Sequence, residues 1–283
     1  MKIEVENYEL DCDFDPRIVN NASDKTIPID DIGFVYNCVF KQRKAFEYSV
    51  NSIKKVYPDS KIYVVSDGGY DYSYMEDENL KFSMQEDTVS PLKPINGDNY
   101  LNPEYQISTK IGMKATLRRI EEGIKYCGNP EWMCLVEPDV LIRGKVSYPE
   151  NGKILGHRIN VSWMTQQCLE QFMGLNELLS EIEGSIPILR WGAVPAIFHT
   201  ETFLKGLKVY KDNFDILDKL TEKHYAPGTF DLFICIIFAL VGEQEVYNKE
   251  VTECIRNPSW KTSDHPILHQ FREHYETSDH YGS

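Results

Sequence analysis

The stretch EWMCLVEPDVLI, residues 131–142, decides how the rest of the chain is interpreted. Its first half is a short apolar run rich in Val, Leu and Trp, which is typical of a buried strand in an α/β sheet. Glu137 and Asp139 follow it, and in an extended chain side chains two positions apart point to the same side. Pro138 has no backbone N–H to donate, so strand pairing should stop there. The stretch therefore predicts a buried strand that ends in two neighbouring carboxylates.

Two carboxylates at the end of a strand are candidate metal ligands. Mg²⁺ and Mn²⁺ are hard cations, usually held by one or two carboxylates together with substrate phosphates. We therefore predict that Glu137 and Asp139 bind Mn²⁺ or Mg²⁺. The alternative, from the residues alone, is a strand end that carries two solvated acids.

Composition limits the classes of partner. The chain has 283 residues, of which 42% are hydrophobic, so it can build a large core. Its 44 acidic and 30 basic residues give a formal net charge of −14. So acidic a surface repels nucleic acid and anionic lipid, and we expect neither as a partner. A phosphate-bearing ligand would need a local basic group or a cation.

Cysteine usage predicts a cytoplasmic setting. The chain has 7 cysteines without a CxxC pair, and its first residues lack the apolar segment of a secretory signal. The longest apolar run, residues 232–241, is far shorter than the ~20 residues that cross a membrane.

Strand-like and helix-like patterns alternate along the chain. This predicts an α/β fold with a central, mostly parallel sheet flanked by helices. Residues 1–30 are acidic and weakly periodic and are predicted to form an arm, whereas residues 31–283 form a single domain. Strands are predicted at 32–40, 61–65, 131–136, 153–157 and within 187–198, helices at 43–56, 107–127, 165–182, 212–224 and 231–242, and a long loop at 70–106.

Polar residues follow three of the predicted strands, as Tyr36-Asn37, Ser66-Asp67-Gly68-Gly69 and Glu137-Pro138-Asp139. Ligands of open α/β sheets bind beyond the carboxyl ends of strands. Asp67 can accept hydrogen bonds from a base or ribose, while the glycines after it allow close backbone approach. An ordinary turn would contain the same residue types.

These parts, in this order, resemble the GT-A glycosyltransferases, which use a nucleotide-diphosphate sugar and a divalent metal. The resemblance covers most of residues 31–275 as scattered short motifs, with Glu137-Pro138-Asp139 in place of the family's Asp-x-Asp. The leading glutamate is a departure from that motif. Among relatives, the chain most resembles the small glycosyltransferases that large algal DNA viruses encode for capsid glycans, with a xylosyltransferase as one candidate. A viral protein of this kind would act in the host cytoplasm.

The resemblance implies a GT-A-like, Rossmann-type sheet with a nucleotide-sugar half at residues 31–143 and an acceptor half at 144–283. His269 and Arg272 match a late His-x-x-Lys/Arg spacing of the family, although His265, His274 and His280 compete for the same role. The implied metal ligands are Glu137, Asp139 and His269. The implied nucleotide-binding residues are Tyr36, Asn37, Asp67, Glu137 and Arg272.

An inverting member of the family needs a carboxylate base on the acceptor side, and Asp231 fits this role. The residue opens an apolar helix, where the helix dipole keeps a carboxylate ionised, as a base must be. A simple helix cap explains the same residue. Arg190-Trp191-Gly192 resembles the acceptor-binding segment, in which the ring of Trp191 would stack on a sugar; a core position is the alternative for this ring.

The implied reaction moves a sugar from a nucleotide-diphosphate donor, with UDP-sugars favoured, to a hydroxyl of an oligosaccharide or glycoprotein. A nucleotidyltransferase that makes a nucleotide sugar is one alternative. It should carry a glycine-rich basic loop after the first strand, and residues 37–41 contain no glycine. The second alternative is a non-catalytic sugar-binding or virion structural protein with the same fold.

Overall fold

The computed structural model describes residues 2–5, 8–11, 25–39, 43–66, 69–85, 110–158, 174–188, 192–217, 230–244, 246–247, 250–253 and 264–269. The strands are β1 (Lys2–Val5), β2 (Tyr8–Asp11), β3 (Thr26–Pro28), β4 (Ile32–Val39), β5 (Ile62–Ser66), β6 (Leu80–Ser83), β7 (Trp132–Val136), β8 (Leu141–Ile142), β9 (Ser147–Pro149), β10 (Ile154–Arg158), β11 (Gly192–His199), β12 (Val246–Tyr247), β13 (Val251–Glu253) and β14 (Ile267–His269). The helices are α1 (Arg43–Val56), α2 (Lys110–Tyr126), α3 (174–180), α4 (Thr200–Asp212), α5 (Phe214–Leu217) and α6 (Phe230–Ala239), with a 3-10 turn at Ser73–Met75.

Seven strands form the central sheet in the order β12-β10-β11-β7-β4-β5-β6. Strand β4 is parallel to both of its neighbours, β7 and β5, and β6 is parallel to β5. Strand β11 runs antiparallel to β7 and β10, and β12 is parallel to β10. The predicted α/β class, with a mostly parallel central sheet flanked by helices, is confirmed.

Both faces of the central sheet are buried. Successive side chains of a strand point to opposite faces, so Val35 and Leu135 belong to one core cluster and Phe34 and Cys134 to the other. Helices α2, α3, α4 and α6 supply buried residues to the first cluster, and α1 supplies them to the second. Burial on both faces explains why the central strands are continuous apolar runs and not alternating ones.

A second sheet of three strands joins the end of the chain to the end of β7. Its order is β13-β14-β8, with β14 parallel to β13 and antiparallel to β8. Strand β8 begins two residues after Asp139, so this small sheet lies directly beyond the predicted metal ligands. Two further pairs, β1 with β2 and β3 with β9, are antiparallel.

Two elements of the structure, β6 and α4, were not predicted. The predicted loop over 70–106 contains the edge strand β6, whose four residues are too few to carry a recognisable apolar pattern. Helix α4 was not predicted; of the helix predicted at 212–224, residue 212 ends α4, residues 214–217 form the short α5, and residues 218–224 lie outside the described part of the chain. Gly206 in α4 lowers helix propensity and obscured the pattern. Of the helix predicted at 165–182, residues 165–173 lie outside the described part of the chain.

Helix α4 packs closely against α6 at Gly206. A Cβ added there would overlap the carbonyl oxygen of Ile237, in the apolar helix α6. The glycine therefore allows two helices to pack with their backbones almost in contact. Within the described ranges, no helix is both long and apolar enough to cross a membrane.

Gly206→Ala should lower the melting temperature. Alanine favours a helix by about 1 kcal/mol over glycine, but overpacking a helix contact costs about 1–3 kcal/mol or more. Gly144→Ala is the matched control, since its added Cβ would lie 3.6 Å from Pro266 Cβ, an ordinary contact. A Gly206→Ala variant that melts with or above the wild type would contradict the packing of α4 on α6.

Candidate functional site

A tight turn follows strand β7 and carries the two predicted carboxylates. The Val140 N–H donates to the carbonyl of Glu137 at 3.1 Å, which closes the turn over residues 137–140. Pro138 fixes its own φ near the value that such turns need. Pairing of β7 stops at Val136, as Pro138 predicts. Glu137 and Asp139 are thus brought together by a turn and not by the extended chain expected from their spacing.

His269 reaches this turn through strand pairing. In the β8–β14 register, Ile267 faces Ile142 and Leu268 faces Leu141, so the next residue of β14 lies beside the turn. The His269 Nε2 atom lies 3.4 Å from Glu137 Oε2, although the residues are 132 positions apart in the chain. The small sheet is therefore what places an imidazole beside the two carboxylates.

The three side chains fit a divalent cation. One ligand atom from each of Glu137, Asp139 and His269 lies within 4.8 Å of the others. Ligand atoms that share one octahedral ion at about 2.1 Å are themselves about 3 to 4.2 Å apart. The three ligand atoms therefore need to move only slightly closer together to share one ion. Two carboxylates suit Mg²⁺ or Mn²⁺, and the added imidazole favours Mn²⁺.

Burial strengthens the case for a cation. Asp139 is 2% and His269 3% exposed, whereas Glu137 is partly open to solvent. Two carboxylates this close together repel each other when they are removed from water, and a divalent ion offsets that repulsion. Glu137 is thus the member of the group whose side chain is accessible to solvent.

Tyr36 and Asn37, both predicted to bind a nucleotide, have different environments at the end of β4. The Tyr36 ring lies in the core, where its hydroxyl is 2.6 Å from Ser49 Oγ and burial raises the pKa of that hydroxyl. The Tyr36 side chain is therefore a core element. Asn37 follows, one position beyond Tyr36–Val136, the last pair that joins β4 to β7.

Asn37 is buried with its side-chain polar groups unsatisfied. It is 2% exposed, and among the residues that the structure describes neither its Nδ2 nor its Oδ1 has a hydrogen-bond partner. An orphaned buried amide is uncommon and requires an explanation. A polar ligand at the carboxyl edge of β4 would satisfy it.

Arg119 is a candidate functional residue that sequence reasoning missed. It lies on α2 and is fully buried, with Nη1 donating to the Asn37 carbonyl at 2.9 Å and Nε to Gln85 Oε1 at 3.2 Å. Its guanidinium thus places a positive charge at the carboxyl end of β4. No periodic signal in the sequence marks it, because a charged residue beside an apolar stripe is usually exposed.

Several predicted site residues lie outside the described part of the chain, namely Asp67, Arg190, Trp191 and Arg272, as do the competing His274 and His280. Asp231 is the second residue of α6, at the helix start where the sequence placed it, but its side chain is not described. His265, a described residue, is not a member of the three-residue ligand group.

Comparisons with known proteins find a similarity only among solved structures. No family model and no curated protein matches the chain. A crystal structure of the galactosyltransferase LgtC with donor and acceptor sugar analogues matches at a TM-score of 0.47 and 12% identity, covering 84% of this chain and 86% of that one. An active-site mutant of LgtC matches at a TM-score of 0.46 and 12% identity, with the same coverage. A similarity at this level assigns neither activity nor substrate.

Manganese should stabilise the protein, and Asp139→Ala should abolish that stabilisation. A ligand present at 100 times its Kd raises the free energy of unfolding by about 2.7 kcal/mol, which thermal melts with and without Mn²⁺ will detect. Asp212→Ala, which removes an exposed carboxylate of α4, is the control and should keep the full shift. An Asp139→Ala variant with an unchanged Mn²⁺ shift would remove this residue from the site.

Proposed function

We propose that the chain is a metal-dependent glycosyltransferase of the GT-A type, which moves a sugar from a nucleotide-diphosphate donor to a glycan hydroxyl. The observation that carries the proposal is the convergence of Glu137, Asp139 and His269 at the carboxyl edge of a mostly parallel sheet. This edge is where open α/β sheets bind their ligands. The resemblance of the sequence motifs to the GT-A glycosyltransferases supports the choice of reaction.

The donor site comprises the acidic turn and the end of β4. Glu137, Asp139 and His269 hold Mn²⁺ or Mg²⁺, which when bound acts as a Lewis acid for the leaving diphosphate. The orphaned amide of Asn37 supplies a donor and an acceptor to the nucleotide. Asp67 and Arg272 complete the nucleotide site in this proposal, on the ribose or base and on the diphosphate respectively.

On the acceptor side, Asp231 acts as the general base. The acceptor oxygen forms a bond to C1 of the donor sugar, the bond from C1 to the diphosphate oxygen breaks, and Asp231 takes the hydroxyl proton. The nucleoside diphosphate leaves with the electron pair of the broken bond. Attack from the face opposite the leaving group inverts the configuration at C1. Arg190 and Trp191 would bind the acceptor, the ring of Trp191 by stacking on a sugar.

Within this class, we favour UDP-sugars, UDP-xylose among them, and an oligosaccharide or glycoprotein acceptor. The resemblance to the glycosyltransferases of large algal DNA viruses supports this narrower choice and a role in viral capsid glycans. The cytoplasm is the proposed setting, supported by two described cysteines, Cys127 and Cys134, that form no disulfide.

The test is release of free nucleotide from a panel of UDP- and GDP-sugars with Mn²⁺, with and without candidate acceptors. A glycosyltransferase releases UDP or GDP and extends the acceptor. A nucleotidyltransferase would instead release pyrophosphate from a nucleoside triphosphate and a sugar phosphate. If no donor gives turnover and no nucleotide stabilises the protein, the chain is a non-catalytic protein and the proposal is contradicted.

Asp231→Ala should keep donor binding and lose transfer. A positioned general base contributes about 10²–10⁴-fold to rate, so kcat should fall at least about 100-fold while the UDP-sugar thermal shift is retained. Asp215→Ala, which removes the carboxylate in the first turn of α5, is the control and should keep its rate. Full activity of Asp231→Ala would exclude the residue as the base.

A further inference from the structure

The peptide of Val140 links the acidic turn to the rest of the protein. Its N–H closes the turn on the Glu137 carbonyl, as described above. Its carbonyl, which directly follows Asp139, accepts a hydrogen bond from Ser49 Oγ at 2.5 Å. Ser49 lies on α1, 91 positions earlier in the chain, and its side chain is fully buried. The turn is thus attached to α1 through one serine hydroxyl.

The direction of this hydrogen-bond chain is fixed by the number of protons. The Ser49 hydroxyl has one proton, and the Val140 carbonyl can only accept it. Ser49 Oγ must therefore accept its second bond, at 2.6 Å, from the hydroxyl of Tyr36. Burial raises the pKa of Tyr36, so this donor keeps its proton. A buried relay consequently runs from β4 through α1 to the turn.

Ser52 bonds to the other end of the segment 140–142. It lies almost one helical turn after Ser49, and its Oγ accepts from the Ile142 N–H at 3.0 Å while donating to the Ser49 carbonyl at 2.6 Å. Two serines on one face of α1 therefore fix the backbone at Val140 and Ile142. This short segment contains β8, the strand that pairs with β14 and so determines where His269 lies.

We propose that Ser49 is a positioning residue of the metal site, which sets the direction of the Glu137 and Asp139 carboxylates through the Val140 carbonyl. The inference rests on the proposed function, because it assumes that these residues hold a cation. Residues that orient metal ligands without touching the metal typically change affinity by about 10–100-fold when lost. The competing view is that Ser49 satisfies a buried carbonyl and contributes to stability alone.

The test measures Mn²⁺ affinity and stability separately in three variants. Free Mn²⁺ is titrated by its EPR signal, and melting temperature is recorded on the same samples. Ser49→Ala should weaken Mn²⁺ binding about tenfold. Tyr36→Phe should bind Mn²⁺ within about twofold of the wild type, because the bond from Ser49 to Val140 remains, although its loss of a buried hydrogen bond lowers the melting temperature.

The double variant Tyr36→Phe with Ser49→Ala separates the two roles. It removes the Tyr36 hydroxyl that Ser49→Ala alone would leave without an acceptor, so it should recover part of the melting temperature while Mn²⁺ affinity stays low. It also serves as the test if Ser49→Ala alone does not fold. A structural role would instead make affinity follow the melting temperature across all three variants.

Three results would overturn the inference, and they differ in what else they affect. Unchanged Mn²⁺ affinity in Ser49→Ala, or equal losses in Ser49→Ala and Tyr36→Phe, removes the positioning role and leaves the metal site intact. A wild-type protein that binds no Mn²⁺ removes the metal site and the positioning role together.

Discussion

Pairing between β14 and β8 is the constraint on which the candidate site depends. It places His269 near the end of the chain beside Glu137 and Asp139, which follow the central strand of the main sheet. The ligand set forms only when β14, β8 and the turn after β7 are all in place. The cluster thus exists only in the folded chain, and a bound cation would stabilise that fold by mass action. Without a cation, the buried carboxylate of Asp139 and the partly exposed one of Glu137 repel each other.

The other polar groups of the site lie at the carboxyl edge of the main sheet, near the end of β7. Strands β4 and β7 are parallel, and Tyr36 pairs with Val136, so Asn37 and Glu137 each directly follow the last pair that joins the two strands. Arg119 adds a buried positive charge at the end of β4. A protein with a formal charge of −14 thus has a candidate cation site and a guanidinium at the edge of the sheet where the proposed diphosphate would bind. This local arrangement is what makes the proposed donor chemistry compatible with so acidic a chain.

Local patterns in the sequence predicted much of the fold. The predicted range of α1 equals the observed Arg43–Val56, because an amphipathic stripe followed by Pro58 marks both the buried face and the end of a helix. The central strand and its stop before Pro138 were predicted for similarly local reasons. Strand β6 and helix α4 were missed, since a four-residue edge strand and a helix interrupted by Gly206 give weak signals of this kind.

The site could be predicted only in part, because its members meet through pairings that no local pattern encodes. Spacing identified Glu137 and Asp139, whereas family resemblance alone singled out His269 from the other late histidines. Ser49 and Arg119 carry no periodic signal and emerge only from the packing of α1 and α2.

Anomalous diffraction from a crystal soaked with Mn²⁺ and UDP tests the central claim most directly. The account predicts a manganese peak bonded to Glu137, Asp139 and His269, with the diphosphate on the same ion. A manganese peak elsewhere, or a nucleotide bound away from this edge of the sheet, would contradict it.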